Sequence, residues 1–166
     1  LYCDPISSLK RRAAQTVLNE LFGRFLTWLA PICPFTTEEA WQTQNPDASS
    51  IHLKTWEAIP SEWKNEAVIS RMAILRDLRK VITGAIELKR ADKTIGSSLE
   101  AAPIVYITNE EIKTAIMGED LAELCITSGL EVKFTDHEGF SLDDVAGVNV
   151  EFIRAEGIKC KRSWKY

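Results

Sequence analysis

The sequence predicts a mainly α-helical α+β protein, with a helical bundle over residues 1–95 followed by a small mixed α/β domain over residues 96–166. Two long stretches repeat apolar residues every three to four positions, which is the period of an amphipathic helix. Beyond these stretches, short runs of β-branched residues indicate strands. The chain has 166 residues, of which 45% are hydrophobic, and this is enough for one domain or two small ones.

The first predicted helix carries an apolar stripe that ends before Pro31, a residue that cannot continue a helix. Ser7 or Ser8 is a suitable N-cap for this helix. A second helix is predicted to begin at Thr36, because Thr36 and Glu39 have the spacing of a capping box. The stripe of the first helix consists of Ala14, Val17, Leu18, Leu21, Phe22, Phe25 and Leu29.

The middle of the chain predicts a loop, an extended strap and a third, long helix. Turn-forming residues fill positions 43–50, and residues 51–56 have the alternation of an extended segment. The helix is predicted to run from Glu62 or Asn65 to Ala91. Its stripe consists of Val68, Met72, Leu75, Leu78, Ile82, Ile86 and Lys89.

The remaining part of the chain predicts short strands that alternate with short helices. Strands are predicted at Ile104–Ile107, at residues 131–134 and at residues 148–153. Short helices are predicted after Asn109 and over residues 121–126. This alternation is typical of a mixed α/β domain.

The cysteines and the aromatic residues of the helices are predicted to be structural. No two cysteines have Cys-x-x-Cys spacing, and the sequence shows no secretory signal, so we expect reduced thiols in a cytoplasmic protein. Cys33 and Cys125 lie among apolar residues and are predicted to be buried. We expect four aromatic side chains in the core, namely Phe22, Phe25, Trp28 and Trp41.

Composition and motifs exclude several classes of protein. The longest nearly apolar stretch, Phe25–Phe35, is shorter than the ~20 residues of a membrane span. The net charge of −4 disfavours a general nucleic-acid binder, although a local basic stripe is compatible with it. His52 and His137 are far apart, and no phosphate-binding loop, dinucleotide fingerprint or hydrolase motif occurs. We therefore predict no catalytic, cofactor-binding or metal-binding residue.

Three basic clusters are the strongest functional signal in the sequence. Arg76, Arg79 and Lys80 share one helix face because they are three and four positions apart. Basic side chains neutralise phosphates, and the ring of Trp164 can either stack on an unpaired base or pack within the protein. A solvated basic helix face without an RNA partner is the alternative interpretation. The candidate RNA-contacting residues are Lys10, Arg11, Arg12, Arg76, Arg79, Lys80, Arg90, Lys93, Lys161, Arg162 and Trp164.

Four strings in the sequence resemble one enzyme family. The string at residues 28–41, WLAPICPFTTEEAW, resembles the anticodon-binding domain of the class I aminoacyl-tRNA synthetases for isoleucine, valine and leucine. The strings at residues 50–56, 90–101 and 157–164 resemble the isoleucyl-tRNA synthetase family in its bacterial form. The same region of a valyl- or leucyl-tRNA synthetase is the near alternative, and an acidic helical protein-interaction module is the alternative from another class.

The resemblance implies a helical bundle that binds the anticodon stem-loop of tRNA(Ile), followed by a small junction domain. It also implies that the catalytic domain, with its ATP and Mg²⁺, and the editing domain lie elsewhere in a longer polypeptide that attaches isoleucine to its tRNA. This chain is then non-catalytic, cytoplasmic and monomeric, and it contacts those domains as partners. No membrane is involved.

One departure from the family pattern concerns zinc. Many members begin their C-terminal module with Cys-x-x-Cys and bind a structural zinc ion there. This chain has Cys160-Lys-Arg-Ser163 at that position. Because a serine hydroxyl is a poor zinc ligand beside thiolates, we expect no zinc at this position.

Overall fold

The computed structural model describes residues 3–166, which form two compact units. The first unit ends at Lys64, and the second comprises Asn65–Tyr166. The change in sequence pattern near residue 96 predicts a later boundary. The units divide earlier because the third helix packs on the sheet that follows it in the chain.

The first two helices are α1 (Leu9–Leu29) and α2 (Pro34–Gln44). The predicted cap at Ser8 is confirmed, since its hydroxyl accepts a hydrogen bond from the backbone N–H of Arg11. The predicted start at Thr36 is wrong, and with it the capping box. The helix begins two residues earlier because Pro34 occupies its first position, where a missing N–H costs nothing.

The first unit has a small buried core. Leu26, Ala30 and Ile51 form it, and partly buried Phe22, Ala40 and Trp41 pack against it. The prediction of an extended strap is wrong at its start, because residues Ile51–Leu53 form a single 3-10 turn. A second 3-10 turn covers Ser61–Trp63.

The loop before the first 3-10 turn is fixed by one carboxylate of α2. Glu38 accepts hydrogen bonds from the Ser50 hydroxyl at 2.8 Å and from the Ile51 backbone N–H at 2.9 Å. These bonds lower the pKa of Glu38, with the Ser50 hydroxyl as the largest cause. The carboxylate therefore anchors the loop to the helix in its ionised form.

Several side chains of the first unit that were predicted to be buried lie on its surface. Phe25 and Trp28 contact each other edge to face, with ring centroids 5.7 Å apart, but both are exposed. Cys33 is exposed as well, because it precedes the first turn of α2. The predictions for Phe25, Trp28 and Cys33 are therefore wrong, whereas Cys125 in the second unit is buried as predicted.

The second unit is built on a 26-residue helix, α3 (Glu66–Ala91). Asn65 caps it by accepting a hydrogen bond from the Val68 backbone N–H at 3.1 Å. The N-terminal part of its apolar stripe, at Val68 and Met72, is exposed. The buried residues of the helix follow in the C-terminal part, and they are Leu75, Leu78, Val81, Ile82, Ala85 and Ile86.

A three-stranded sheet covers this buried face. Its strands are β1 (Ile104–Ile107), β2 (Glu131–Lys133) and β3 (Val148–Glu151), in the order β2-β1-β3. β2 is parallel to β1, and β3 is antiparallel to it. Alternate residues such as Val105 and Val150, which are partners in the register, are buried in the same core as α3.

Two short helices connect the parallel strands, as a crossover between parallel strands requires. They are α4 (Glu110–Ala115) and α5 (Leu121–Cys125). Asn109 caps the first of them and Asp120 caps the second. A 3-10 turn at Ser98–Glu100 precedes the sheet. None of the helices in the described part of the chain is both long and apolar enough to cross a membrane.

Candidate nucleic-acid interface

The basic cluster that opens α1 is only partly available to a ligand. Arg11 donates from Nη1 to the backbone carbonyl of Asp4 at 2.8 Å, so its guanidinium is held by the chain itself. Lys10 and Arg12 are exposed. Within residues 3–166, the side chain of Arg12 makes no hydrogen bond or ion pair.

The cluster on α3 differs from the continuous cationic face that its spacing predicts. Arg79 donates from Nε to the carbonyl of Leu124 at 2.9 Å, and Lys80 forms an ion pair with Asp144. The Asp144 carboxylate raises the pKa of Lys80, and Lys80 in turn lowers the pKa of Asp144. Arg76 is exposed, and its guanidinium has no partner in the described part of the chain. The structure therefore leaves Arg76 as the available cation among these three.

Arg79 and Arg71 both donate hydrogen bonds to backbone carbonyls of the second unit. Arg71 donates to the carbonyls of Ala115 at 2.8 Å and Met117 at 2.6 Å, at the end of α4. The carbonyl that Arg79 binds, at Leu124, belongs to the last turn of α5. Carbonyls at helix C-termini lack intrahelical partners and favour cations. Two arginines of α3 therefore hold the C-terminal ends of both short helices.

The C-terminal end of α3 carries further candidate residues. Arg90 donates from Nη1 to the Glu87 carboxylate at 2.7 Å, one helical turn earlier. Lys93 follows the helix with φ 62°, in the left-handed region that ends many helices. Lys93 is exposed, and no acid of the described residues pairs with it.

The third cluster lies on a tight C-terminal turn. The backbone N–H of Trp164 donates to the Cys160 carbonyl at 2.9 Å, and the N–H of Cys160 donates to the Lys165 carbonyl at 2.8 Å. The backbone N–H of Tyr166 donates to the Ser128 hydroxyl at 2.8 Å. The turn is thus closed on itself and attached to the rest of the second unit.

This turn presents an aromatic ring among cations. Trp164 is 62% exposed and adopts φ 61°, a conformation that a bulky residue seldom takes. The ammonium group of Lys159 lies 5.7 Å from the centre of the indole ring. Lys161 and Arg162 are exposed on the same turn. This exposure of Trp164 is compatible with stacking on an unpaired base, and the choice between stacking and packing stays a prediction.

The residues around Cys160 do not fit a zinc site. The Ser163 hydroxyl and the backbone N–H groups of Ser163 and Arg162 lower the pKa of Cys160 to about 7. The turn supplies a single cysteine, whereas a structural zinc site takes four ligands. Among residues 3–166, no group of three or more histidine, cysteine, aspartate or glutamate residues is placed to hold a metal ion.

Sequence reasoning missed Arg24. It is one of two buried residues of α1 and is only 8% exposed. The available signal was a charged residue placed between Phe22 and Leu26, two positions that contribute to the core.

Comparison with known proteins identifies the family. Residues 1–106 match the family described as the anticodon-binding domain of tRNA ligase. The isoleucine–tRNA ligase of Agrobacterium fabrum is 52% identical over 99% of this chain, and that of Bartonella henselae is 51% identical over 100% of this chain. The isoleucine–tRNA ligase of Brucella abortus is 48% identical. The chain spans 17% of the length of each of these curated relatives. With its match over residues 1–106, the chain belongs to the family of anticodon-binding domains of tRNA ligases.

Proposed function

We propose that this chain binds the anticodon stem-loop of tRNA(Ile) as part of an isoleucine–tRNA ligase, which attaches isoleucine to its tRNA with ATP. The observation that carries the proposal is the identity of about half of all residues to isoleucine–tRNA ligases along the whole chain. Valyl- and leucyl-tRNA synthetases are disfavoured because the relatives described above are all isoleucine enzymes.

The distribution of positive charge supports contact with phosphates. Arg12, Arg76, Lys93 and Lys161 are exposed and unpaired within residues 3–166, although the chain as a whole is acidic. Phosphate contacts of this kind position an RNA without reading its sequence. Trp164, exposed beside Lys159, provides a face on which an unpaired base can stack.

The chemistry of the ligase is assigned to other parts of the polypeptide. ATP and Mg²⁺ would act in the catalytic domain, and this chain would contribute binding energy and orientation. We further propose that it acts in the cytoplasm, as a monomer, and without zinc at Cys160.

The experiment that tests the proposal is a salt titration of tRNA binding by the intact protein. Binding of tRNA(Ile) should weaken linearly with the logarithm of salt concentration, and an unrelated tRNA should bind more weakly. Arg76→Ala should reduce the salt slope by about one. The matched control is Lys80→Ala, which removes a cation already paired with Asp144 and should change the slope less.

The outcomes separate the competing interpretations. Equal, salt-insensitive binding of both tRNAs would overturn the proposal and favour a protein-interaction module. Preferential binding of tRNA(Val) or tRNA(Leu) would assign the chain to a sister enzyme. An unchanged slope in Arg76→Ala would remove that residue from the interface while the function stands.

A further inference from the structure

A histidine in a surface loop of the second unit covers an aromatic ring of the sheet. The loop comprises residues 134–139 and runs from the end of β2 to the bridge that pairs Phe140 with Val150. The ring of His137 stacks on the ring of Tyr106 in β1, with the ring centroids 4.0 Å apart and the ring planes at 21°. Tyr106 lies on the outer face of the sheet, because its neighbours in β1 are buried in the core with α3. The loop therefore covers this outer face through one stacked side chain.

Few other contacts hold this loop against the sheet. Residues 134–139 are exposed, and among the described residues no backbone hydrogen bond joins positions 135–139 to another element. At the end of the loop, Gly139 lies so close to β3 that an added Cβ would be 2.9 Å from the carbonyl oxygen of Val150. Segments with few buried contacts and few hydrogen bonds open at a low cost in free energy. The stacked ring of His137 is therefore the main contact that can keep the middle of the loop closed.

One carboxylate of β3 faces both rings of the stack. The Tyr106 hydroxyl donates a hydrogen bond to Glu151 Oε2 at 2.9 Å, and His137 Nε2 lies 3.7 Å from the same oxygen. The hydrogen bond to Glu151, together with burial, raises the pKa of Tyr106, so the hydroxyl stays a neutral donor near pH 7. Histidine is the side chain that changes its charge near neutral pH. The charge of this cluster therefore changes at His137, next to a fixed negative charge.

Protonation of His137 favours the closed loop. A protonated imidazole is attracted by the Glu151 carboxylate at 3.7 Å and by the face of the Tyr106 ring. Both attractions are lost when the loop moves away from the sheet, so the closed loop binds a proton more tightly than the open loop does. By linkage, a lower pH then favours the closed loop, and a rising pH releases it.

The neighbouring cations of the second unit are each held by an acid of their own. Lys133 of β2 lies with its ammonium group 5.7 Å from the centre of the Tyr106 ring, and it pairs with Glu131 at 3.7 Å. Lys113 of α4 lies 5.6 Å from the ring centre of the loop's first residue, and it pairs with Glu110 at 2.8 Å. These pairs weaken the repulsion between the two ammonium groups and a protonated His137. Glu151 therefore remains the charge closest to the imidazole.

Two further acids belong to the loop itself. The Asp136 carboxylate accepts a hydrogen bond from the backbone N–H of His137 at 3.0 Å, and Glu138 is the next residue along the chain. Both acids move with the loop, so they attract a protonated His137 in the open form as well as in the closed form. They therefore contribute little to the difference between the two forms, which depends on Glu151.

We propose that His137 is a pH-dependent clasp, which closes the loop at residues 134–139 over Tyr106 when it is protonated and releases the loop when it is neutral. Glu151 supplies the charge that distinguishes the two forms, and Tyr106 supplies the surface on which the imidazole stacks. Opening of the loop uncovers the Tyr106 ring, which is 7% exposed in the closed form. The clasp lies within the second unit and operates without an RNA ligand, so it is independent of the proposed function.

The test is an NMR measurement on the full chain at about pH 5.5 and about pH 8, a range over which histidine changes its charge. The nuclear Overhauser effect between the rings of His137 and Tyr106 reports the fraction of closed loop. Backbone order parameters of residues 135–138 report the mobility of the loop. The ratio of closed to open loop should be about two- to fivefold higher at the lower pH, the effect expected of an exposed ion pair. Equal ring contacts and equal order parameters at the two pH values would overturn the proposal.

Three variants separate charge from stacking. His137→Phe keeps a ring that can stack on Tyr106 but carries no charge, so its loop should be equally closed at both pH values. Glu151→Gln keeps an acceptor for the Tyr106 hydroxyl and removes the negative charge, so the pH effect should fall below about twofold. Glu138→Gln is the matched control, because it removes a carboxylate that moves with the loop and should keep the full effect. Circular dichroism verifies that each variant is folded.

Two results with the variants would also overturn the clasp. A pH effect that persists in His137→Phe would assign the titration to another group. Loss of the effect in Glu138→Gln to the same extent as in Glu151→Gln would show that it reflects the general charge around the loop. None of these measurements involves RNA, so either result would leave the proposed function as it stands.

Discussion

The two compact units each contain a long amphipathic helix, but they bury these helices to different extents. α1 and α3 are both long and amphipathic, yet α1 buries only Arg24 and Leu26. α3 buries six apolar residues beneath a sheet and two short helices. Among the described residues, the core of the first unit has three buried residues, whereas that of the second has many more, from Leu75 to Val150. An apolar period thus predicts a helix but does not by itself show which helix will be covered.

The largest expected effect comes from equal truncations on the two helices. Leu78 is fully buried, and Leu78→Ala should destabilise the second unit by about 2–5 kcal/mol through a cavity. Leu18 is 51% exposed, and Leu18→Ala should cost about 0.5 kcal/mol or less in the first unit. Amide hydrogen exchange of α3 and α1 measures the opening of each helix separately. Equal losses of protection in the two variants would contradict the comparison.

The same contrast explains how much of the fold the sequence predicts. Helix starts at Ser8, Asn65 and Asn109 depend on a side chain that binds a backbone N–H two or three residues away, so a local pattern suffices. The strands also follow from local runs of β-branched residues. By contrast, the exposure of Phe25 and Cys33 depends on which element covers them, and no local pattern carries that information.

The candidate interface shows the same limit. Spacing on a helix correctly predicts that Arg76, Arg79 and Lys80 lie close together on α3. Their partners, Leu124 and Asp144, are far along the chain, so the sequence could not show that two of the three cations are engaged. The buried Arg24 was missed for a related reason, since its partners at Glu57 and Trp63 come from a segment without regular periodicity.

Alanine substitutions at the two helical glycines, Gly23 and Gly84, should change the stability of their units in opposite directions. Gly23→Ala should stabilise α1 by about 0.5–1 kcal/mol, because the new methyl group meets nothing and alanine favours the helix. At Gly84 a Cβ would lie 2.9 Å from the Phe140 ring, and Phe140 is held by two backbone hydrogen bonds to Val150. Gly84→Ala should therefore lower the free energy of unfolding of the second unit by about 1 kcal/mol, even after the higher helix propensity of alanine is included. The same hydrogen-exchange experiment measures this change.

A second substitution tests the cause at Gly84. Phe140→Leu shortens the contacting side chain, so Gly84→Ala should be less harmful in that background than alone. If Gly84→Ala alone stabilises the protein, the Phe140 ring must move aside for the new methyl group. The second unit would then be less tightly packed than its contrast with the first unit implies.

The smallest effect concerns the alkylation rates of the cysteines, which depend on both the exposure of each thiol and its pKa. Burial raises the pKa of Cys125 to about 11, so both access and ionisation should protect it from iodoacetamide near neutral pH. Cys33 is exposed in the first unit and should be alkylated readily, in contrast to Cys125. Cys160 has a pKa of about 7, so its thiolate fraction should rise through pH 7 and its alkylation rate should level off above it. Mass spectrometry of timed samples measures each rate.

Ser163→Ala separates the cause of the Cys160 reactivity from exposure alone. It removes the hydroxyl that is the largest cause of the lowered pKa and leaves the backbone N–H groups in place. The pKa of Cys160 should therefore rise, and its alkylation at pH 7 should slow several-fold while Cys33 is unaffected. An unchanged midpoint would mean that the backbone donors alone stabilise the thiolate. Rapid alkylation of Cys125 would instead show that the core of the second unit opens as easily as the surface of the first, and the contrast between the two units would fail.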